Sequence, residues 1–150
     1  MEIRELQPGD FPQFSQIMKK FYHHAGNSIP KEDGMKILFD KALDRESNLV
    51  FIAALDNQEL VGILSLTFGE SSYKVSSFAW GDDLYVNENY RNKGVGKKLI
   101  QKAKEIAESR NCSNILVGVG QDEIEVQKFC QSLGFMDLKC KLLSLPIAKK

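Results

Sequence analysis

Between residues 78 and 110 the chain passes from an apolar run of strand length, through a glycine-bearing basic turn, into a strongly amphipathic helical pattern. The run is Phe78 to Val86 and the polar connection is Asn87 to Lys93. The helical pattern runs from Gly94 to Arg110, with Val95, Leu99, Ile100, Ala103, Ile106 and Ala107 on one face. Asn114 to Val119 then reads as another strand. A strand–helix–strand unit of this kind favours parallel pairing through a right-handed crossover, with the apolar helix stripe laid on the sheet. That one stretch restricts the chain to a layered α/β fold.

The remaining pattern fills in the layers. A short strand, Ile3 to Leu6, opens the chain. Asp10, with Gln13 three residues on, has the spacing of a capping box before Phe11, Phe14, Met18 and Phe21 recur at helical intervals. Gly26 to Pro30 breaks the pattern, and a second helix carries Met35, Leu38, Phe39, Ala42 and Leu43. Asn48 to Leu55 and Leu60 to Phe68 form a hairpin about the turn Asp56-Asn57-Gln58-Glu59. Gly69 to Ser77 reads as a loop. Glu123 to Leu133 is a helix stopped by Gly134, and Cys140 to Ile147 is a last strand. The order βααβββαβαβ predicts a mixed sheet with helices on both faces, in one domain spanning 1–150 with no internal repeat or linker.

Composition narrows the function classes. Twenty Lys plus Arg balance twenty Asp plus Glu, so no net charge steers the chain to bulk nucleic acid or an acidic membrane. Cys112, Cys130 and Cys140 are too few and too far apart for a disulfide framework or a zinc site, and no metal is expected. The first residues lack an apolar signal core, and no run approaches the roughly 20 apolar residues of a membrane span. A cytoplasmic location is the expectation.

The basic turn is where chemistry concentrates. In Arg91-Asn92-Lys93-Gly94-Val95-Gly96-Lys97-Lys98, glycines at a helix start let an anion approach free backbone N–H groups, and the cations add charge. Lys98 stands where a phosphate-binding P-loop needs Ser or Thr, and Arg91 where it needs its first Gly. Leu99 stands where the dinucleotide fingerprint needs a third Gly. A lone Gly-x-Gly before a solvated lysine face is equally compatible with a plain surface turn.

The segment resembles a family motif. Arg91-x-x-Gly94-x-Gly96 is similar to the Gln/Arg-x-x-Gly-x-Gly/Ala motif of GNAT N-acetyltransferases. Asp83 to Tyr90 resembles the strand and loop that lead into it, Leu133-Gly134-Phe135 the end of the family's fourth helix, and the element order the family's own. The resemblance implies a mixed, mostly antiparallel sheet of six or seven strands with helices on both faces. It implies direct transfer of an acetyl group from acetyl-CoA to a primary amine in a ternary complex; a small-molecule amine is expected, since no acidic or extended peptide-binding feature stands out in the sequence. The pantetheine arm would lie along Leu84, Tyr85 and Val86, and the pyrophosphate on Arg91, Asn92, Lys93, Gly94, Val95, Gly96 and Lys97.

The transfer needs a group to deprotonate the amine. Asp82 and Asp83 stand on the strand before the motif, and adjacent strand residues face opposite sides, so position favours Asp82. Glu88, His23 and His24 are weaker candidates, and Trp80, Phe39 and Tyr73 are aromatics available to an acceptor pocket. The family's usual Tyr beside the thioester sulfur is replaced by Cys130, which either protonates the leaving thiolate or merely fills space. That replacement supports a second reading, a catalytically weak acyl-CoA-binding sensor or regulatory module. Only one strand follows Gly134 where the family often has two, so one strand is missing or a partner subunit supplies it, which leaves a homodimer open.

Overall fold

The structure, a computed structural model, describes residues 1–148. The elements are β1 (Glu2–Glu5), α1 (Phe11–His24), α2 (Glu32–Leu43), β2 (Leu49–Asp56), β3 (Glu59–Ser71), β4 (Ser76–Val86), α3 (Val95–Ser109), β5 (Cys112–Val117) and α4 (Ile124–Ser132). They fall into two compact units, Met1–Val117 and Gly118–Lys150.

In the first unit five strands form one sheet in the order β1-β2-β3-β4-β5. The first three pairings are antiparallel and β4–β5 is parallel. The long central strands are apolar without alternation because both their faces are covered. On one face Val50, Ile52, Ala54, Leu64 and Leu66 meet Val95, Leu99, Ala103 and Ile106 of α3. On the other, Phe51, Ala53, Leu55, Ile63 and Tyr85 meet Phe14, Met18, Met35 and Phe39 of α1 and α2. The rings of Phe14 and Phe51 stand edge to face at 5.1 Å. Helices on both faces are thus as the element order predicts.

Local chemistry explains the joints. Asn57 and Gln58 both adopt positive φ, +47° and +68°, the two-residue turn whose twist matches a right-handed hairpin. Gly62 on β3 lets α3 approach the sheet, since a Cβ there would lie 3.2 Å from Val95 Cγ1 and 3.3 Å from Leu99 Cδ1. That contact seats the first turn of α3, and with it the basic turn, against the sheet.

Several expectations differ from the structure. The sheet has five strands among the described residues, not six or seven. Cys140 to Ile147 is not a strand; it runs without regular structure, because a strand exists only through pairing and no strand among the described residues pairs with it. The stretch 69–77 is no loop: β3 and β4 extend into it and leave only residues 72–75 as a turn. Asp10 does not cap α1 with its side chain. It is held instead by Arg4 through two hydrogen bonds of 2.7 and 3.0 Å, and Gln13 accepts from Leu60 N–H. A charged partner six residues back outcompeted the local cap.

In the second unit, α4 ends as its sequence predicts. Gly134 takes φ +94°, Phe135 N–H donates to Cys130 C=O and Gly134 N–H to Gln131 C=O, a Schellman arrangement. Glu123 accepts from Gly120 N–H at 2.7 Å, which folds the approach to the helix.

Candidate active site

The parallel ladder of β4 with β5 runs from Ser77–Cys112 to Gly81–Val117 and stops there. The strand β4 continues to Val86, still paired with β3 through Leu64–Leu84, Ile63–Tyr85 and Gly62–Val86. Past Gly81, therefore, β4 has a ladder only on its β3 side among the described residues. The backbone of Asp82 to Val86 is left able to pair with something strand-like. Of its side chains, Tyr85 is buried toward α1 and Leu84 is exposed.

At the end of this open edge stands the basic turn. Arg91 is half-buried; its Nε–H donates to Val86 C=O at 2.9 Å and its guanidinium lies 5.4 Å from the Tyr85 ring centre. It thus fastens the turn to the strand. Asn92 and Gly94 take left-handed φ of +60° and +81°, and a Cβ at Gly94 would meet nothing within 4 Å. The first intrahelical bond of α3 is Lys98 N–H to Gly94 C=O. The N–H groups of Val95, Gly96 and Lys97 precede it and have no acceptor within the helix, and no side chain among the described residues caps the helix start. The Val95 side chain is in the core, so only its backbone can serve a ligand. Lys102 and Lys104 pair with Glu105 and Glu108 along the helix. Among the described residues Lys93, Lys97 and Lys98 form no ion pair, and positive charge is concentrated at the turn. Uncapped amides, cations without an ion pair among the described residues and a glycine with open space around it fit a bulky pyrophosphate.

Beside the open edge, the register of β3 and β4 slips between Leu64 and Leu66. Leu64 faces Leu84 and Leu66 faces Gly81, so Asp82 and Asp83 together stand opposite Ser65. This β-bulge breaks the strict alternation by which at most one of Asp82 and Asp83 could point into a cleft. Ser65 is buried, and its Oγ accepts from Asp83 N–H at 3.0 Å. Asp82 is exposed and Asp83 half-buried. Burial first, then the neighbouring Asp82 charge, raise the Asp83 carboxyl to about 6, against the opposing Ser65 hydrogen bond. Tyr22 of α1 feels both carboxylates: burial, then Asp83 and Asp82, push its phenol up. Phe21 and His24 of α1 stand 6.1 and 5.8 Å from the Tyr85 ring.

Other candidates are placed elsewhere. Phe39 is in the core with Phe11 and Phe14, and Tyr73 is at the exposed tip of the β3–β4 hairpin. Trp80 is half-buried on β4, and His23 and Glu88 are exposed. Cys130 belongs to the second unit, where burial pushes its thiol up. Ser65 and Tyr22 were not singled out from sequence. The available signal was Ser65 itself, one hydroxyl inside the apolar run Leu60 to Leu66. No group of three or more His, Cys, Asp or Glu that could hold a metal ion occurs among the described residues. No helix there is long and apolar enough to cross a membrane.

Comparison with known proteins bears on the family and the fold. Residues 9–135 match the Acetyltransferase (GNAT) family. An uncharacterized N-acetyltransferase of Archaeoglobus fulgidus is 25% identical over 133 residues, covering 88% of this chain and 90% of its own. The crystal structure of a probable acetyltransferase superposes with a TM-score of 0.86 at 25% identity, covering 100% of both chains. At 16% identity and a TM-score of 0.83, AAC(6')-Iy, solved with the bisubstrate analog CoA-S-monomethyl-acetylneamine, shares the fold over 98% of each chain. The chain belongs to the acetyltransferase (GNAT) family. It is an acetyltransferase enzyme with a mixed α/β sheet of that fold.

The Asp83 carboxyl gives the site a signature in stability. Its folded pKa of about 6 lies above the ordinary 3.8, so its contribution is present below 3.8 and is lost as pH rises through 6. Relative to wild type, Asp83→Asn should gain about 1–2 kcal/mol between pH 4 and pH 7, a value reduced for the side chain's partial exposure. Urea unfolding at the two pH values measures it. An equal difference at both would place the titrating group elsewhere.

Proposed function

We propose that this enzyme moves an acetyl group from acetyl-CoA to the primary amine of a small cationic molecule, by direct transfer in a ternary complex. The observation that carries the reading is the open edge of β4 at Asp82 to Val86, ending on the uncapped start of α3. Acetyl-CoA supplies the activated thioester. Its pantetheine amides would pair with the backbone of Leu84, Tyr85 and Val86, and its pyrophosphate with the N–H groups of Val95, Gly96 and Lys97. Lys93 and Lys97 add charge, Asn92 and Gly94 shape the turn, and Arg91 holds it to Val86.

The acceptor side is read from the carboxylate pair. No cation among the described residues pairs with Asp82 or Asp83, so an ammonium group has two acceptors open to it. An ammonium is not a nucleophile until it loses a proton. Asp83, with a pKa of about 6, is mostly ionised at neutral pH yet basic enough to take that proton directly or through one water. Asp82, exposed beside it, holds the acceptor's charge and keeps the Asp83 pKa up. Removing the Asp82 charge should therefore lower the Asp83 pKa. The family match runs through both compact units, which supports reading 1–150 as one acetyltransferase domain.

The reading is tested by free-thiol release from acetyl-CoA across a panel of mono-, di- and polyamines. Turnover of none of them, with acetyl-CoA still bound, would favour a sensor over an amine acetyltransferase. In the same assay Asp83→Asn should lower kcat roughly a hundredfold and remove the acidic limb of the rate profile. Asp82→Asn should act mainly on the amine KM. The opposite assignment follows if the two variants exchange these effects.

The cofactor half has its own test. Gly96→Glu puts bulk and negative charge at the start of α3, and should weaken CoA binding by about 2 kcal/mol or more. Unchanged affinity by calorimetry in a folded variant would move the pyrophosphate site away from this turn.

For Cys130 the proposal is a space-filling role, with its raised thiol pKa reflecting burial. Cys130→Ala should keep turnover within about fivefold of wild type, because a CoA thiolate leaves without obligatory acid help. A loss of two orders of magnitude in both the Ala and Ser variants, with CoA affinity intact, would make the thiol the acid.

A further inference from the structure

At the end of α3 remote from the basic turn, the first unit holds a second cavity. Leu64, Leu66 and Phe68 of β3 lie in the core beneath α3, and strand alternation brings Glu70 to the same face one step beyond. Ser77 of β4 pairs with Glu70 in register, and its Oγ donates to Glu70 Oε1 at 2.9 Å, which holds one carboxylate oxygen in place. Arg110, the residue that ends α3, lays its guanidinium 4.2 Å from the centre of the Phe68 ring. Asn48, whose C=O accepts from Phe68 N–H, closes the β2 side. With Gly69 these residues line a cavity of about 300 Å³. Small-molecule sites begin at about that size.

The cavity faces two opposite charges that do not satisfy one another. Neither Arg110 nor Glu70 forms an ion pair among the described residues. Both nevertheless act on one place. The half-buried Cys112 stands opposite Ser77 in the β4–β5 ladder and packs against the core beneath α3. Burial raises its thiol pKa most, the Arg110 charge lowers it and the Glu70 charge raises it. A guanidinium stacked on a ring keeps its edge N–H donors free for a planar carboxylate. A carboxylate held by one hydroxyl keeps lone pairs for an ammonium. A simple anion in this cavity would be opposed by Glu70, and a simple cation by Arg110.

We propose that this cavity binds a small zwitterion with the charge pair of a free α-amino acid, its carboxylate on the Arg110 guanidinium and its ammonium on the Glu70 carboxylate. Such a ligand answers both charges at once and brings no net charge of its own. The helix α3 has 15 residues, so at about 1.5 Å each the cavity and the basic turn are about 22 Å apart along it. A ligand here is out of reach of a thioester held at the other end of the helix. It binds as an effector, not as an acyl acceptor. The site shares no residue with the Asp82–Asp83 pair or with the basic turn, so it stands or falls independently of the acceptor chemistry.

Nuclear magnetic resonance of the nitrogen-15-labelled protein, titrated separately with glycine, alanine and serine to about 10 mM, covers the range of weak specific binding. Each amino acid should shift the amides of Gly69, Glu70 and Cys112 and the Arg110 Nε–H saturably, and leave those of Asp82 to Val86 in place. Acetate and methylammonium each make only one of the two charge contacts and should bind at least about tenfold more weakly. That comparison needs no variant to fold. Arg110→Gln and Glu70→Gln, each with circular dichroism and acetyl-CoA affinity retained, should lose the shifts. The absence of saturable shifts with all three amino acids overturns the proposal. So does acetate binding as tightly as the amino acids, which would make this a plain anion site, or saturation that persists in either folded variant. Shifts confined to Asp82 to Val86 overturn it as well, and place the amino acid at the acceptor site instead.

Discussion

The end of the parallel ladder at Gly81 and Val117 governs the site. A backbone amide within a sheet is committed to its neighbours, and nothing can be recognised through it. By parting from β5 while staying paired with β3, β4 keeps its rigidity and frees one side. The close approach at Gly62 then matters because it brings the start of α3 to this strand. The Arg91 bond to Val86 C=O fixes the turn between them. Strand backbone and helix amides thus become one continuous set of donors and acceptors without any side chain reaching far.

The bulge opposite Ser65 adds the second ingredient. Regular pleating would send Asp82 and Asp83 to opposite faces of the sheet. One extra residue on β4 sets both opposite a single partner, and their mutual repulsion adds to burial in raising Asp83 to about 6. A carboxylate so raised is less stable in its ionised form than an exposed one, so the fold carries a cost at neutral pH where acyl transfer would use it.

Most of the first unit was legible in the residues, because periodicity reports burial directly. The apolar run of β2 and the i, i+3, i+4 stripe of α3 each had one sensible reading, a turn up to Gly94 had to join strand to helix, and helices on both faces followed. The Schellman stop at Gly134 was equally local. Three things were decided only in three dimensions. The capping role of Asp10 lost to an ion pair with Arg4, a competition that spacing along the helix does not reveal. The bulge depends on the mismatch of two strands paired across a hairpin, so the facing of Asp82 and Asp83 could not be counted from either strand alone. Residues 140–147 have the composition of a strand, but a strand is a relation between two segments. Composition supplies the propensity, and only the tertiary arrangement supplies the hydrogen-bonding partner.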